Sequence, residues 1–144
     1  VQPIWFSDLA PWMEQEWGVS VVLCMFSYAP YTMVDTSTEK TLFEGLAKRN
    51  LLDPPMVRQA RGVADNFLSD IERIVEDYKI DCVVVPGHMG HKDGSASISL
   101  MREKCRDIDV PFLYIGCDQF DRRYTTMDEM KDRLSRFFTT MGLG

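Results

Sequence analysis

What the 144-residue chain lacks narrows its function first. No apolar run approaches the roughly 20 residues needed to cross a bilayer, and no charged-then-apolar leader opens the chain, so the expectation is a soluble, cytoplasmic protein with no membrane partner. An excess of basic residues is also missing. The formal net charge is -6, and the nearest approach to a basic cluster, Arg122 and Arg123, stands beside Asp118 and Asp121, which argues against nucleic acid as a partner. The four cysteines, Cys24, Cys82, Cys105 and Cys117, show no CxxC spacing, which excludes closely spaced zinc or iron–sulfur ligand sets, and a chain able to build a full core has little need of a disulfide framework. Neither G-x-G-x-x-G nor GK[ST] follows any apolar run, and G-x-S-x-G does not occur, so the dinucleotide, Walker and nucleophile-elbow patterns are all absent.

What is present is an alternation of apolar runs and amphipathic stretches. Residues 1–6 read as the tail of a strand, with nothing resembling an initiator before them, so the expectation is a fragment of something longer. Ser7 and Asp8 can cap a helix carrying Leu9, Trp12, Met13 and Trp17 at helical spacing, and Gly18 ends it. Residues 19–26, VSVVLCMF, form a nearly continuous β-branched and apolar run, as expected of a strand covered on both faces. A helix over 38–50 follows a hydroxyl-rich loop and is broken by LLDPP, and from Val57 the spacing through Ala60, Ala64, Phe67, Ile71, Ile74 and Tyr78 predicts a long amphipathic helix. Two further strands are expected over 82–85 and 111–115, with a helix over 95–107 between them, capped by Ser95 or Asp93 and turning Ile98, Met101 and Cys105 inward. The last helix opens on a T-x-x-E capping box, Thr126 and Glu129, with Met127, Met130, Leu134, Phe137 and Met141 as its stripe. Three of the cysteines, Cys24, Cys82 and Cys105, fall at core positions, where a free thiol behaves as a small hydrophobe, and Cys117 is taken as inert too.

The order β, α, β, α, α, β, α, β, α calls for one α/β domain over 1–144: a three-layer α/β/α sandwich on a mostly parallel four-stranded sheet, flavodoxin-like or Rossmann-like. In such sheets ligands sit beyond the carboxyl ends of the strands. Two loops fall there. The first, PGHMGHKDGSAS, holds His88 and His91, the only histidines of the chain, beside a helix N-terminus that favours negative charge. The second holds Asp118, Asp121, Arg122 and Arg123. A third wall, near residues 27–32, is a further candidate. His88 and His91 with Asp93 have a spacing that can hold zinc, although no third firm ligand accompanies them, and hydrogen-bonded surface histidines are the structural alternative. Asp118 and Asp121 are most simply an ion-paired turn locking the last helix.

The stretch GHMGHKDGSAS, followed by VPFLYIGCDQFDRRYTTMDEMKDRLSRFF, resembles the C-terminal domain of 2-hydroxyacyl-CoA dehydratase and benzoyl-CoA reductase subunits, in which a strand runs into an "hKGCKqssG" loop and a "giPfLyldgD" strand leads to "D-x-R-y-s". PIWFSDLAPWMEQEWGVSVVLCMF is similar to the family's preceding strand, helix and strand. The resemblance implies a lyase that eliminates water from a 2-hydroxyacyl-CoA, with a 4Fe-4S cluster in the full-length enzyme, a second dehydratase subunit, an ATP-dependent activator protein and an acyl-CoA substrate. It also implies that residues 1–144 alone hold no cluster and are inactive. The family's loop cysteine, a cluster ligand, aligns with His91, where KGCK has become Met89, Gly90, His91 and Lys92. Two alternatives stay open there: His91 as an iron ligand with His88, Lys92 and Ser95 around it, or a subunit that binds no cluster. A benzoyl-CoA reductase-type subunit and a non-catalytic α/β small-molecule or interaction module are the competing functions.

Overall fold

The computed structural model describes residues 8–24, 28, 32–54, 64–118, 120–121 and 123–144, with the side chain of Asp93 left aside. Among these residues the chain is α/β, with five helices and a parallel two-stranded sheet: α1 (Leu9–Trp17), α2 (Glu39–Leu52), α3 (Ala64–Tyr78), β1 (Val83–His88), α4 (Lys92–Asp107), β2 (Phe112–Cys117) and α5 (Met127–Thr140). They divide into two compact units, residues 1–22 with 79–144, and residues 23–78.

The first unit contains the sheet. β1 and β2 pair in parallel from Val83↔Phe112 to His88↔Cys117, and Met89 adds one more bond by donating its N–H to the Cys117 carbonyl at 3.1 Å. Strand alternation sorts the side chains. Leu113, Ile115 and Cys117 face α1 and α5, and with Met13, Met130, Leu134 and Phe138 they make the core, against which Trp12, Trp17, Cys82 and Val84 pack. Phe112 and Tyr114 take the other face, where the guanidinium of Arg102 on α4 lies 5.8 Å from the Phe112 ring centre. Helices therefore cover both faces of the two strands. Phe138 is wholly buried and meets Trp17 at a centroid distance of 5.6 Å, which ties the last helix to the first.

Local chemistry explains the helix ends. Gly18 stops α1 in the left-handed region at φ 63. At α5 the expected box is present: Thr126 Oγ1 accepts from the Glu129 N–H, and the Glu129 carboxylate accepts from the Thr126 N–H at 2.8 Å. In the second unit Thr38 and Thr41 form the same reciprocal pair at α2. There Asp53 is buried and accepts from both the N–H and the hydroxyl of Thr32, at 2.6 and 3.2 Å. α3 carries its apolar residues Ile71 and Ile74 inward.

Several expectations need correction. Both strands run further than the apolar runs suggested, through Pro86, Gly87 and His88 in one and through Gly116 and Cys117 in the other. Proline is tolerated in β1 because its one neighbour among the described residues, β2, leaves half its N–H groups unneeded by that ladder. α4 begins three residues early, with His91 rather than Ser95 or Asp93 as its cap. The run at 19–26 shows no strand over residues 19–24, where Val21 and Val22 are half exposed and Cys24 is exposed rather than a core residue. A β-branched run becomes a strand only where a neighbour pairs with it. The sheet described is accordingly two-stranded. The strand expected over 1–6, residues 25–26, residues 57–63 of the long helix, and Ser7 lie outside the described residues.

Candidate functional site

The carboxyl ends of both strands meet at one edge of the first unit, since His88 and Cys117 are register partners. His88 ends β1. The chain turns at once, with the His91 N–H donating to the His88 carbonyl at 3.0 Å, and enters α4, where the Ser95 N–H donates to the His91 carbonyl at 3.0 Å. His91 holds the N-cap position, and its Nδ1 accepts from the Gly94 N–H at 3.1 Å. Two glycines seat the two imidazoles. A Cβ at Gly90 would lie 3.0 Å from His88 Nε2, and one at Gly94 would lie 2.7 Å from His91 Nδ1. Lys92 opens α4 and Ser95 sits in its first turn, both exposed.

The loop after β2 comes to His88 from the neighbouring strand. Asp118 Oδ1 accepts from the N–H groups of Phe120 and Asp121 at 2.8 and 3.0 Å and lies 3.9 Å from His88 Nδ1. Those two amides, the Phe120 one foremost, and then the nearby imidazole hold the Asp118 carboxyl below its ordinary range. The ring of Phe120 stands edge-on to His88 at 5.9 Å. An imidazole about a fifth exposed, beside a carboxylate and an aromatic ring, is suited to holding a hydrogen bond or a proton at a defined place. Asp121 does different work. Arg123 grips it through three guanidinium contacts of 2.6, 2.9 and 3.0 Å and donates its own N–H at 2.9 Å, which lowers the Asp121 carboxyl to about 2. Thr125 is buried and donates its hydroxyl to the Gly116 carbonyl, fastening the turn beneath the sheet edge.

Of the residues expected in the site, His88, His91, Lys92 and Ser95 lie along one turn and helix start, and Asp118 joins His88. Asp121 and Arg123 pair with each other. Arg122 and most of the third wall, residues 27 and 29–31, lie outside the described residues. Phe120 and Tyr114 were not singled out from the sequence. Tyr114 lies against Gly87 and Gly116, and its place one register step before Ile115 on the glycine-bearing face was the available signal.

A family model described as 2-hydroxyglutaryl-CoA dehydratase, D-component, matches residues 2–141. The chain belongs to that family. No curated protein and no solved structure gave a match.

The D-component family is named for one component of a dehydratase acting on a CoA ester, and an iron–sulfur cluster is what the sequence resemblance implies for the full-length enzyme. The described residues do not fit such a cluster as its holder. Among them no three His, Cys, Asp or Glu side chains gather where a metal ion can sit. Cys105 and Cys117 are fully buried, and burial pushes their thiols up, as it does for Cys82. Cluster ligands require the opposite, a ready thiolate. Among the described residues no helix is long and apolar enough to cross a membrane.

Proposed function

We propose that this chain forms part of a subunit of an iron–sulfur 2-hydroxyacyl-CoA dehydratase, the lyase that removes water from a 2-hydroxyacyl-CoA to give an enoyl-CoA. The match of the D-component family over residues 2–141 is the observation that carries the reading. The geometry supports it by bringing His88, Asp118 and the start of α4 to the carboxyl edge of the strands, where α/β sheets take their ligands. In this reading residues 1–144 are the C-terminal α/β domain of a longer subunit, and β1 and β2 belong to a four-stranded, three-layer sheet. The turn over His88, His91, Lys92 and Ser95 faces the reaction centre, while the cluster's cysteines come from other polypeptide. A second dehydratase subunit and an ATP-dependent activator complete the enzyme, which works in the cytoplasm, and residues 1–144 alone are inactive. The chain's own contribution is a braced edge: Thr125, the Asp118 turn and the α4 cap hold an imidazole and a helix start at the carboxyl end of the strands, which in this reading borders the substrate cleft.

The test is anaerobic assembly of the full subunit with its partner and activator, followed by iron and sulfide analysis and an assay of enoyl-CoA formation from a 2-hydroxyacyl-CoA with ATP. Iron in the assembled enzyme together with turnover is the expected result. Assembly without turnover on any 2-hydroxyacyl-CoA overturns the reading.

A further inference from the structure

We infer that His91 is the cap of α4 and not an iron ligand, so that a cluster in the assembled enzyme has its ligands outside the loop of residues 88–95. The inference rests on the dehydratase reading above for the presence of a cluster, and on geometry alone for the cap. A neutral imidazole has one nitrogen with a free lone pair and one that carries a proton. The Gly94 N–H points at Nδ1 from 3.1 Å, so Nδ1 is the lone-pair nitrogen and Nε2 carries the proton. A histidine that binds a metal does so through its lone-pair nitrogen and donates from the other. Ligation through Nε2 would therefore place a proton on Nδ1, facing the Gly94 N–H, donor against donor. Capping and ligation exclude each other at this residue.

The fit between ring and helix is close. Gly94 leaves room for the imidazole, since a Cβ there would stand 2.7 Å from Nδ1, and the Ser95 N–H to the His91 carbonyl closes the first turn of the helix. The imidazole thus does what an Asn or Asp side chain does at most helix starts. What it can offer a neighbouring group is the Nε2–H donor.

Three variants of the full subunit, His91→Ala, His91→Asn and Gly94→Ala, separate the roles when iron per assembled complex and the Tm of the full chain are both measured. Asparagine keeps the capping acceptor, so His91→Asn should hold its Tm, whereas His91→Ala and Gly94→Ala should each lose about 2 °C. Iron should equal that of the wild type in all three. Loss of iron in both His91 variants overturns the inference, as does an unchanged Tm in His91→Ala. A wild-type assembly that holds no iron would instead overturn the iron–sulfur reading, and the Tm comparison still decides the cap.

Discussion

Alanine at Gly87 should loosen the strand edge on which the site is built. Gly87 precedes His88 and has an ordinary negative φ, unlike the left-handed Gly18 and Gly142, so backbone strain contributes nothing and the cost is steric. An added Cβ would lie 2.7 Å from the Tyr114 hydroxyl oxygen and closer still to Cε2. Normal contact is about 3.5 Å, and the ring must withdraw by about 1 Å or more. Forcing an extra methyl into a filled space costs about 1–3 kcal/mol, and the stiffer unfolded chain returns about 0.5–1 kcal/mol. The net expectation is a loss of about 1–2 kcal/mol, seen in urea unfolding as a lower midpoint at unchanged slope. Without the ring the obstacle disappears, so in a Tyr114→Leu background Gly87→Ala should be neutral or slightly stabilising. An equal loss in both backgrounds would refute the steric account. So would no loss in the wild-type background.

Two further predictions concern titration. Asp121 titrates in the folded chain at about 2, below its ordinary 3.8, chiefly through the Arg123 side chain. Its contribution to stability is therefore complete above about pH 4 and is lost as pH falls through 2. Carboxyl NMR should place Asp121 below 3 and Arg123→Gln should bring it back toward 3.8, whereas an unmoved value contradicts the pairing. Iodoacetamide at pH 8 should modify exposed Cys24 first and leave Cys105 and Cys117 intact until unfolding, because burial keeps those thiols protonated. Alkylation of Cys117 as fast as Cys24, read by mass spectrometry, counts against the packed edge.

Patterns that depend only on neighbours along the chain were legible. The Thr126 and Glu129 box and the Gly18 stop are where spacing placed them, whereas the loop before α4 is shorter than spacing suggested at both ends, since β1 runs to His88 and α4 opens at Lys92. The spacing of the last helix points to Phe137, whereas Phe138 is the one wholly buried, because adjacent apolar residues differ by only 100° around a helix. The His91 cap was hidden because histidine is an uncommon capping residue, and its role appears only once the ring meets the Gly94 amide. Cys24 shows the limit on the β side. An apolar run carries no information about whether a partner strand exists, and residues 19–24 have none among the described residues. Family membership was legible through the two loops, whereas the meeting of His88 with Asp118 and Phe120 required the parallel register of strands more than twenty residues apart in sequence.

The orientation of this strand edge toward the reaction centre can be measured in the assembled, reduced enzyme. Nitroxide labels at Ala96→Cys and Asp107→Cys, in a Cys24→Ser background, sit near opposite ends of α4, about 16 Å apart. Relaxation of a label by a paramagnetic cluster falls with the sixth power of distance. The label at position 96 should relax many-fold faster than the one at 107; equal rates, or the reverse order, would show that the turn bearing His88 and His91 does not face the cluster.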